Sequence, residues 1–223
     1  MPSINPSHPN IVFVLTDDQG YWALGAAGNH EIHTPNLDRL AAMGLRFENF
    51  FCASPVCSPA RASILTGRIP SQHGVHDWIR KGSLDCEKTP GLGWGDDREI
   101  EYLEGMMGYT EVLAENGYTC GISGKWHLGD SINPQKGFSY WHLFPYGGGS
   151  YYNGYMIREG RIERDTRYLT DIITEGGLIF LDQQAEEETP FYLSVHYTAP
   201  HSPWHKGEHP EDLVDLYNDC PFK

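Results

Sequence analysis

Four short stretches of this sequence bring together side chains that can do chemistry. The first is Asp17-Asp18. Two adjacent carboxylates repel each other unless a cation or hydrogen-bond donors neutralise them, and a hard divalent ion such as Ca²⁺ or Mg²⁺ takes such oxygen ligands. The plainer alternative is a turn in which Asp18 caps the next segment. The second is Cys57-Ser58-Pro59-Ala60-Arg61. Pro59 fits the first position of a helix, so Cys57 falls at a helix N-terminus, where free N–H groups and the macrodipole favour an anion. Arg61, four residues on, lies on the same helical side. A nucleophile and a permanent cation therefore meet where an oxyanion would bind.

The third stretch is Lys125-Trp126-His127. In extended chain, residues i and i+2 share a face, so Lys125 and His127 converge while Trp126 points away. Lys supplies a point charge for an anion, and His can move protons near neutral pH. The fourth is His201, held between Pro200 and Pro203 in a stiff loop. Each stretch has a structural alternative: a buried cysteine with a surface arginine, an exposed basic edge with Trp126 in the core, an incidental loop histidine. A tyrosine-phosphatase-type loop needs five residues between Cys and Arg, against three here. A zinc site built on His73, His76 and Cys52 lacks a tight four-ligand pattern.

The elements that must position these groups alternate between strand and helix. Ile11–Thr16 reads as a parallel strand covered on both faces. A helix follows from the Thr34 cap and Pro35 to the Gly44 stop, and Leu45–Phe51 returns to strand character. A helix over about Glu101–Asn116 ends at Gly117 and precedes a strand at Tyr118–Ser123. A helix over about Leu169–Gln184, weakened by Gly176 and Gly177, precedes a strand at Phe191–Tyr197. Gly147–Tyr155 reads as a long surface loop near the site. The pattern predicts an α/β fold with a mostly parallel sheet and helices on both faces. All four chemical groups follow predicted strands or a strand–helix junction, the carboxyl-end position where open α/β sheets bind ligands. Residues 1–223 read as one domain whose C-terminus, Tyr217–Lys223, stops without a final capped element, as a truncated domain would.

Composition narrows the partners. The 223 residues carry 16 Lys+Arg against 30 Asp+Glu, a formal net charge of −14, which argues against a nucleic-acid backbone or an anionic membrane as main partner. A small anion remains open, since a few converging cations or a metal reverse the local field. No apolar run approaches the roughly 20 residues of a membrane span. Ile11–Leu15 lacks the flanks of a signal peptide. Five unevenly spaced cysteines do not suggest a complete disulfide framework. As written the chain reads as cytoplasmic; removal of a signal would make it periplasmic or secreted. Oligomeric state is left open.

The run from Cys57 to Arg68 resembles the sulfatase signature, Cys-x-Pro-x-Arg followed by Thr-Gly, with Ala60 where Ser is commoner. The resemblance extends, in the family's order, to Asn10–Gly20, His33–Asp38, Gly124–Gly129 and Ala199-Pro200-His201. It implies an alkaline-phosphatase-like fold, of which residues 1–223 would be the N-terminal portion of the catalytic domain, and hydrolysis of a sulfate ester or sulfamate, as in arylsulfatases. It further implies that Cys57 is oxidised by a maturation enzyme to formylglycine (3-oxoalanine), whose hydrate attacks sulfur in a two-step covalent mechanism. Asp17, Asp18 and the modified Cys57 would bind Ca²⁺ or Mg²⁺. Arg61 would hold the hydrate, Lys125 a sulfate oxygen, and His127 would be the base that collapses the hydrate–sulfate intermediate. His201 would contact sulfate and the leaving oxygen. The implied substrate is a sulfated small molecule or sugar. The family's further metal ligands and second lysine lie in a later segment than Lys223. The alternatives are a phosphonate or phosphate ester hydrolase of the same superfamily, an inactive sulfate-binding fragment, and a thiol enzyme using Cys57 directly.

Overall fold

The computed structural model describes residues 8–92 and 97–220. Six strands form one sheet: β1 (Ile11–Leu15), β2 (Thr119–Lys125), β3 (Tyr140–Phe144), β4 (Gly154–Arg158), β5 (Arg161–Asp165) and β6 (Phe191–His196), in the order β1-β6-β2-β3-β4-β5. The first four in that order run parallel, and β4 and β5 add an antiparallel hairpin at the far edge. The expected α/β sheet is therefore present, with a mixed edge. The central strands β2 and β6 are buried almost throughout, as doubly covered parallel strands must be.

Helices α1 (Pro35–Met43), α2 (Cys57–Thr66), α3 (Pro70–His73), α4 (Tyr109–Glu115), α5 (Leu169–Gln184) and α6 (Glu211–Asp215) surround the sheet. On one face α5 packs Ile172, Ile173 and Phe180 against Leu193 and Val195. On the other, Ala62 and Leu65 of α2 join Leu103, Ile122, Trp126, Trp141 and Tyr192. Two cores thus clamp β2 and β6 from opposite sides, and the carboxyl ends of those strands are fixed relative to α2.

Three predicted elements differ. Leu45–Phe51 forms no strand; Leu45, Phe47, Phe50 and Phe51 are all more than 70% exposed, and no described strand lies beside β1 opposite β6 to pair with them. For the same reason β1 is an edge strand rather than a covered one. Its Ile11, Phe13 and Leu15 are half-buried while Val12 and Val14 are exposed. The helix predicted from Glu101 begins only at Tyr109, because Gly105 turns the chain at φ 72° and the Glu111 carboxylate accepts a hydrogen bond from the Gly108 amide at 2.7 Å, starting the helix there. Pro59 is the third residue of α2 rather than the first. It is still within the turn whose N–H groups have no helical partner, so Cys57 keeps its place at the N-terminus. The α5 boundaries are as predicted.

Candidate active site

Four strand ends converge. Asp17 and Asp18 follow β1, Lys125 ends β2 with His127 two residues on, Gly147 and Gly148 follow β3, and His196 ends β6 with His201 beyond it. Cys57 and Arg61 approach from α2. The groups picked from sequence are therefore gathered at one edge of the sheet.

At the centre, Asp17 is 5% exposed and its Oδ2 accepts hydrogen bonds from Arg61 Nη2 at 3.2 Å and from Lys125 Nζ. Arg61 also donates through Nη1 to the Lys125 carbonyl at 2.8 Å and lies 3.3 Å from His196 Nδ1. Lys125 is fully buried, which excludes the exposed basic edge as its setting. Burial disfavours charge on Asp17, but Arg61 and Lys125 outweigh it and hold the carboxyl below its usual range. Burial first, then the neighbouring guanidinium of Arg61, pulls Lys125 down. Arg61 is lowered by burial against the opposing pull of Asp17 and Cys57. Two buried cations thus share one buried carboxylate. Asp18, half exposed, lies 3.7 Å from His201 Nε2 through its Oδ2.

His127 is 1% exposed, at φ 58°. Its Nε2 lies 2.9 Å from the Ile79 carbonyl oxygen, which can only accept, so Nε2 carries the proton. Burial and then the Lys125 charge pull its pKa down to about 3, so the ring is neutral and Nδ1, which has no partner among the described residues, presents a lone pair. Ile79 is itself anchored to α2: its amide donates to Ser58 Oγ at 3.2 Å. The helix that carries Cys57 therefore also sets the orientation of His127. Gly147 packs on the ring so closely that a Cβ there would sit 2.3 Å from it. Gly147–Gly149 is thus the loop near the site that was expected, although Tyr151 within the predicted surface loop is fully buried and β4 begins at Gly154.

His201 sits between two cis X-Pro bonds, its carbonyl accepting a hydrogen bond from the Tyr151 hydroxyl at 2.6 Å. Sequence reasoning missed Ser58, Ile79, Tyr151 and His196. His196 was detectable in principle as the last residue of a covered strand, the same position that Lys125 holds in β2. Its Nε2 is buried without a partner among the described residues, and burial followed by Arg61 pulls its pKa down to about 3. All five cysteines are free. His73 is committed to Ser63 Oγ and the Val75 amide, which removes it from a zinc site.

Toward a divalent cation, this end of the sheet offers the carboxylates of Asp17 and Asp18 as hard donors, and no group of three or more candidate ligands occurs among the described residues. A Ca²⁺ ion takes six to eight oxygens. The two carboxylates are the start of such a site, not the whole of one.

A sulfatase family model matches residues 9–222. The N-acetylgalactosamine-6-sulfatase of Mus musculus is 36% identical over 219 residues, covering 89% of this chain and 41% of that protein. The N-acetylglucosamine-6-O-sulfatase of Bacteroides thetaiotaomicron is 32% identical over 198 residues, covering 88% and 31%. A solved complex of a protein with its substrate D-glucosamine-2-N,6-O-disulfate superposes with a TM-score of 0.70 at 31% identity, covering 89% of this chain and 36% of that one. The crystal structure of Ps i-CgsB with a neocarrahexaose gives 0.77 at 28%, covering 95% and 49%. The chain spans about two fifths of the length of the first of these curated relatives.

Proposed function

The chain belongs to the sulfatase family, and on that footing we propose that the protein hydrolyses the sulfate ester of a sugar, with the Cys57 position as nucleophile. The observation that supports this most is the charge count at the centre: Arg61 and Lys125 are both buried and share the single buried carboxylate of Asp17. A surplus buried positive charge is costly until an anion arrives, and the N-terminus of α2 adds N–H donors at the same place. A sulfate group meets that demand. The relatives act on, or are bound to, sulfated amino sugars, and a sulfated hexosamine is the substrate class we assign.

Oxidised to formylglycine by a maturation enzyme, Cys57 would present a hydrated aldehyde oxygen to sulfur, and Ca²⁺ or Mg²⁺ would polarise the sulfate oxygens. Asp17 and Asp18 would supply two of that ion's donors. The chain's own residues do the rest. Arg61 holds the hydrate at position 57 and Lys125 a sulfate oxygen, and both neutralise charge that grows there, the kind of preorganised stabilisation worth about 3–4 kcal/mol per well-aimed donor. His127, neutral and with Nδ1 free, accepts a proton from the hydroxyl at position 57. His201 contacts the sulfate and protonates the departing sugar oxygen. Mass spectrometry of the peptide containing Cys57, from a host with the maturation machinery, reads formylglycine against thiol. Parallel assays of an aryl sulfate and an aryl phosphonate then test the reaction. Unmodified Cys57 with no sulfate release, or a strong preference for the phosphonate, overturns this reading.

A further inference from the structure

We propose that the cavity beside His127, walled by Trp78, Arg80, Asp97 and the Gly147–Gly148 turn, receives the pyranose ring that bears the sulfate; this rests on the hydrolase reading above and assigns its leaving-group pocket. The cavity measures about 360 Å³, at the small end of ligand pockets of roughly 300–1,000 Å³, which suits one sugar ring rather than an extended chain. It shares its walls with the chemistry. Ile79, whose carbonyl orients His127, is part of its lining. Gly147 packs on the His127 ring, and a Cβ at Gly148 would lie 3.0 Å from the His201 ring.

Two of its walls differ in character. Trp78 is about half exposed, stands edge-on to His127 with ring centroids 6.0 Å apart, and has the Arg80 guanidinium 5.8 Å from its ring centre. An indole steadied in this way offers an apolar platform to the C–H face of a sugar. Asp97 is 5% exposed, and its Oδ1 accepts no hydrogen bond among the described residues, although Lys81 Nζ pairs with it at 3.5 Å. A buried carboxylate whose partner is a long ion pair to a largely exposed lysine keeps acceptor capacity for a donor. A carboxylate repels sulfate, so it must meet the uncharged end of the substrate, and sugar hydroxyls are donors of the right kind. Platform and acceptor together select a polyhydroxylated ring. A plain aryl group would use the indole and leave Asp97 unsatisfied.

The test uses the full-length protein and two variants, Trp78→Ala and Asp97→Asn, with calorimetric binding of inorganic sulfate and of a panel of monosulfated hexoses that includes the hexosamines. The expected result is that each variant weakens the best-bound hexose sulfate at least tenfold and leaves inorganic sulfate within twofold. Aspartate to asparagine conserves shape, so circular dichroism should show that variant folded. Equal weakening of both ligands, no weakening of either, or no hexose sulfate binding by the wild type overturns the pocket assignment. Release of sulfate from an aryl sulfate reports separately on the hydrolase reading, because that substrate does not need Asp97. Loss of that reaction with hexose sulfate binding intact would sink the chemistry and leave the pocket standing.

Discussion

A single hydrogen atom's worth of space at Gly147 decides whether His127 can hold its orientation. The ring is fixed on one side by the Ile79 carbonyl and pressed on the other by the Gly147 backbone, where a Cβ would fall 2.3 Å away. Gly147→Ala should therefore push the imidazole off its acceptor. The expected outcome is a kcat at least tenfold lower on an aryl sulfate, the scale of a displaced general base, with KM within twofold and an unchanged circular dichroism spectrum. Loss of KM with kcat intact would show that the ring is not the group being moved. Of the side chains at this scale, those with a distinctive type and spacing were readable in advance: Cys57 with Arg61, Lys125 with His127, the Asp pair. Ser58 and Ile79 were not, because their contribution passes through a backbone amide and a carbonyl that no residue type advertises. Trp78 and Asp97 were invisible for a related reason, since their meaning comes from the cavity between them.

Within α5, two consecutive glycines have opposite roles. A Cβ on Gly176 would lie 1.8 Å from His142 Nδ1 and 2.5 Å from Ser123 Oγ, whereas one on Gly177 meets Val195 Cγ2 at a tight 3.3 Å that a shift of a few tenths of an ångström relieves. Alanine is favoured over glycine in a helix by about 1 kcal/mol. Gly177→Ala should thus be neutral or stabilising by up to about 1 kcal/mol, while Gly176→Ala should cost about 1–3 kcal/mol through overpacking. Urea unfolding of both variants reads the difference, and equal effects would refute the steric account. In the sequence these glycines look like two equal weaknesses in a helix; the packing partner that distinguishes them, His142, is on β3. That strand and the β4–β5 hairpin also escaped the sequence reading. Residues 161–165 are mostly exposed and largely charged, so they lack an apolar period, and the hairpin is signalled only by Glu159-Gly160, both at positive φ. Conversely, Leu45–Phe51 has the composition of a strand, but composition cannot supply the neighbour a strand needs.

Over the whole molecule, stability should depend on pH through four buried histidines, His73, His127, His142 and His196, the first of them also held below its usual value by burial. His127 and His196 titrate near 3 and His142 near 4, all held down chiefly by burial, with Lys125, Arg61 and Arg158 as the respective cationic neighbours. In the unfolded chain a histidine titrates near 6.5. Between pH 7 and 5 the unfolded state therefore takes up protons that the native state refuses, and stability falls as the pH is lowered. His127, His142 and His196 should each contribute about 2 kcal/mol to that fall. His142→Gln should remove about 2 kcal/mol from the fall in unfolding free energy over this range; an unchanged slope would remove His142 from the account. The same scale carries many exposed apolar side chains: Val12 and Val14 on β1, Leu40 and Met43 on α1, and Leu45, Phe47, Phe50 and Phe51 after it are each more than half accessible. Exposed apolar surface of this kind binds hydrophobic dyes. Residues 1–223 produced alone should enhance the fluorescence of anilinonaphthalene sulfonate, and the double variant Phe50→Ser, Phe51→Ser should reduce that signal by at least a third. The pairing of β1 has a further consequence in time. Among the described residues its one strand neighbour is β6, with Leu15 opposite His196, so the ribbon bearing Asp17 has no strand to register against until some 180 residues later have left the ribosome. The anionic hub of the cation cluster is among the first residues synthesised and is seated only once β6 has followed it.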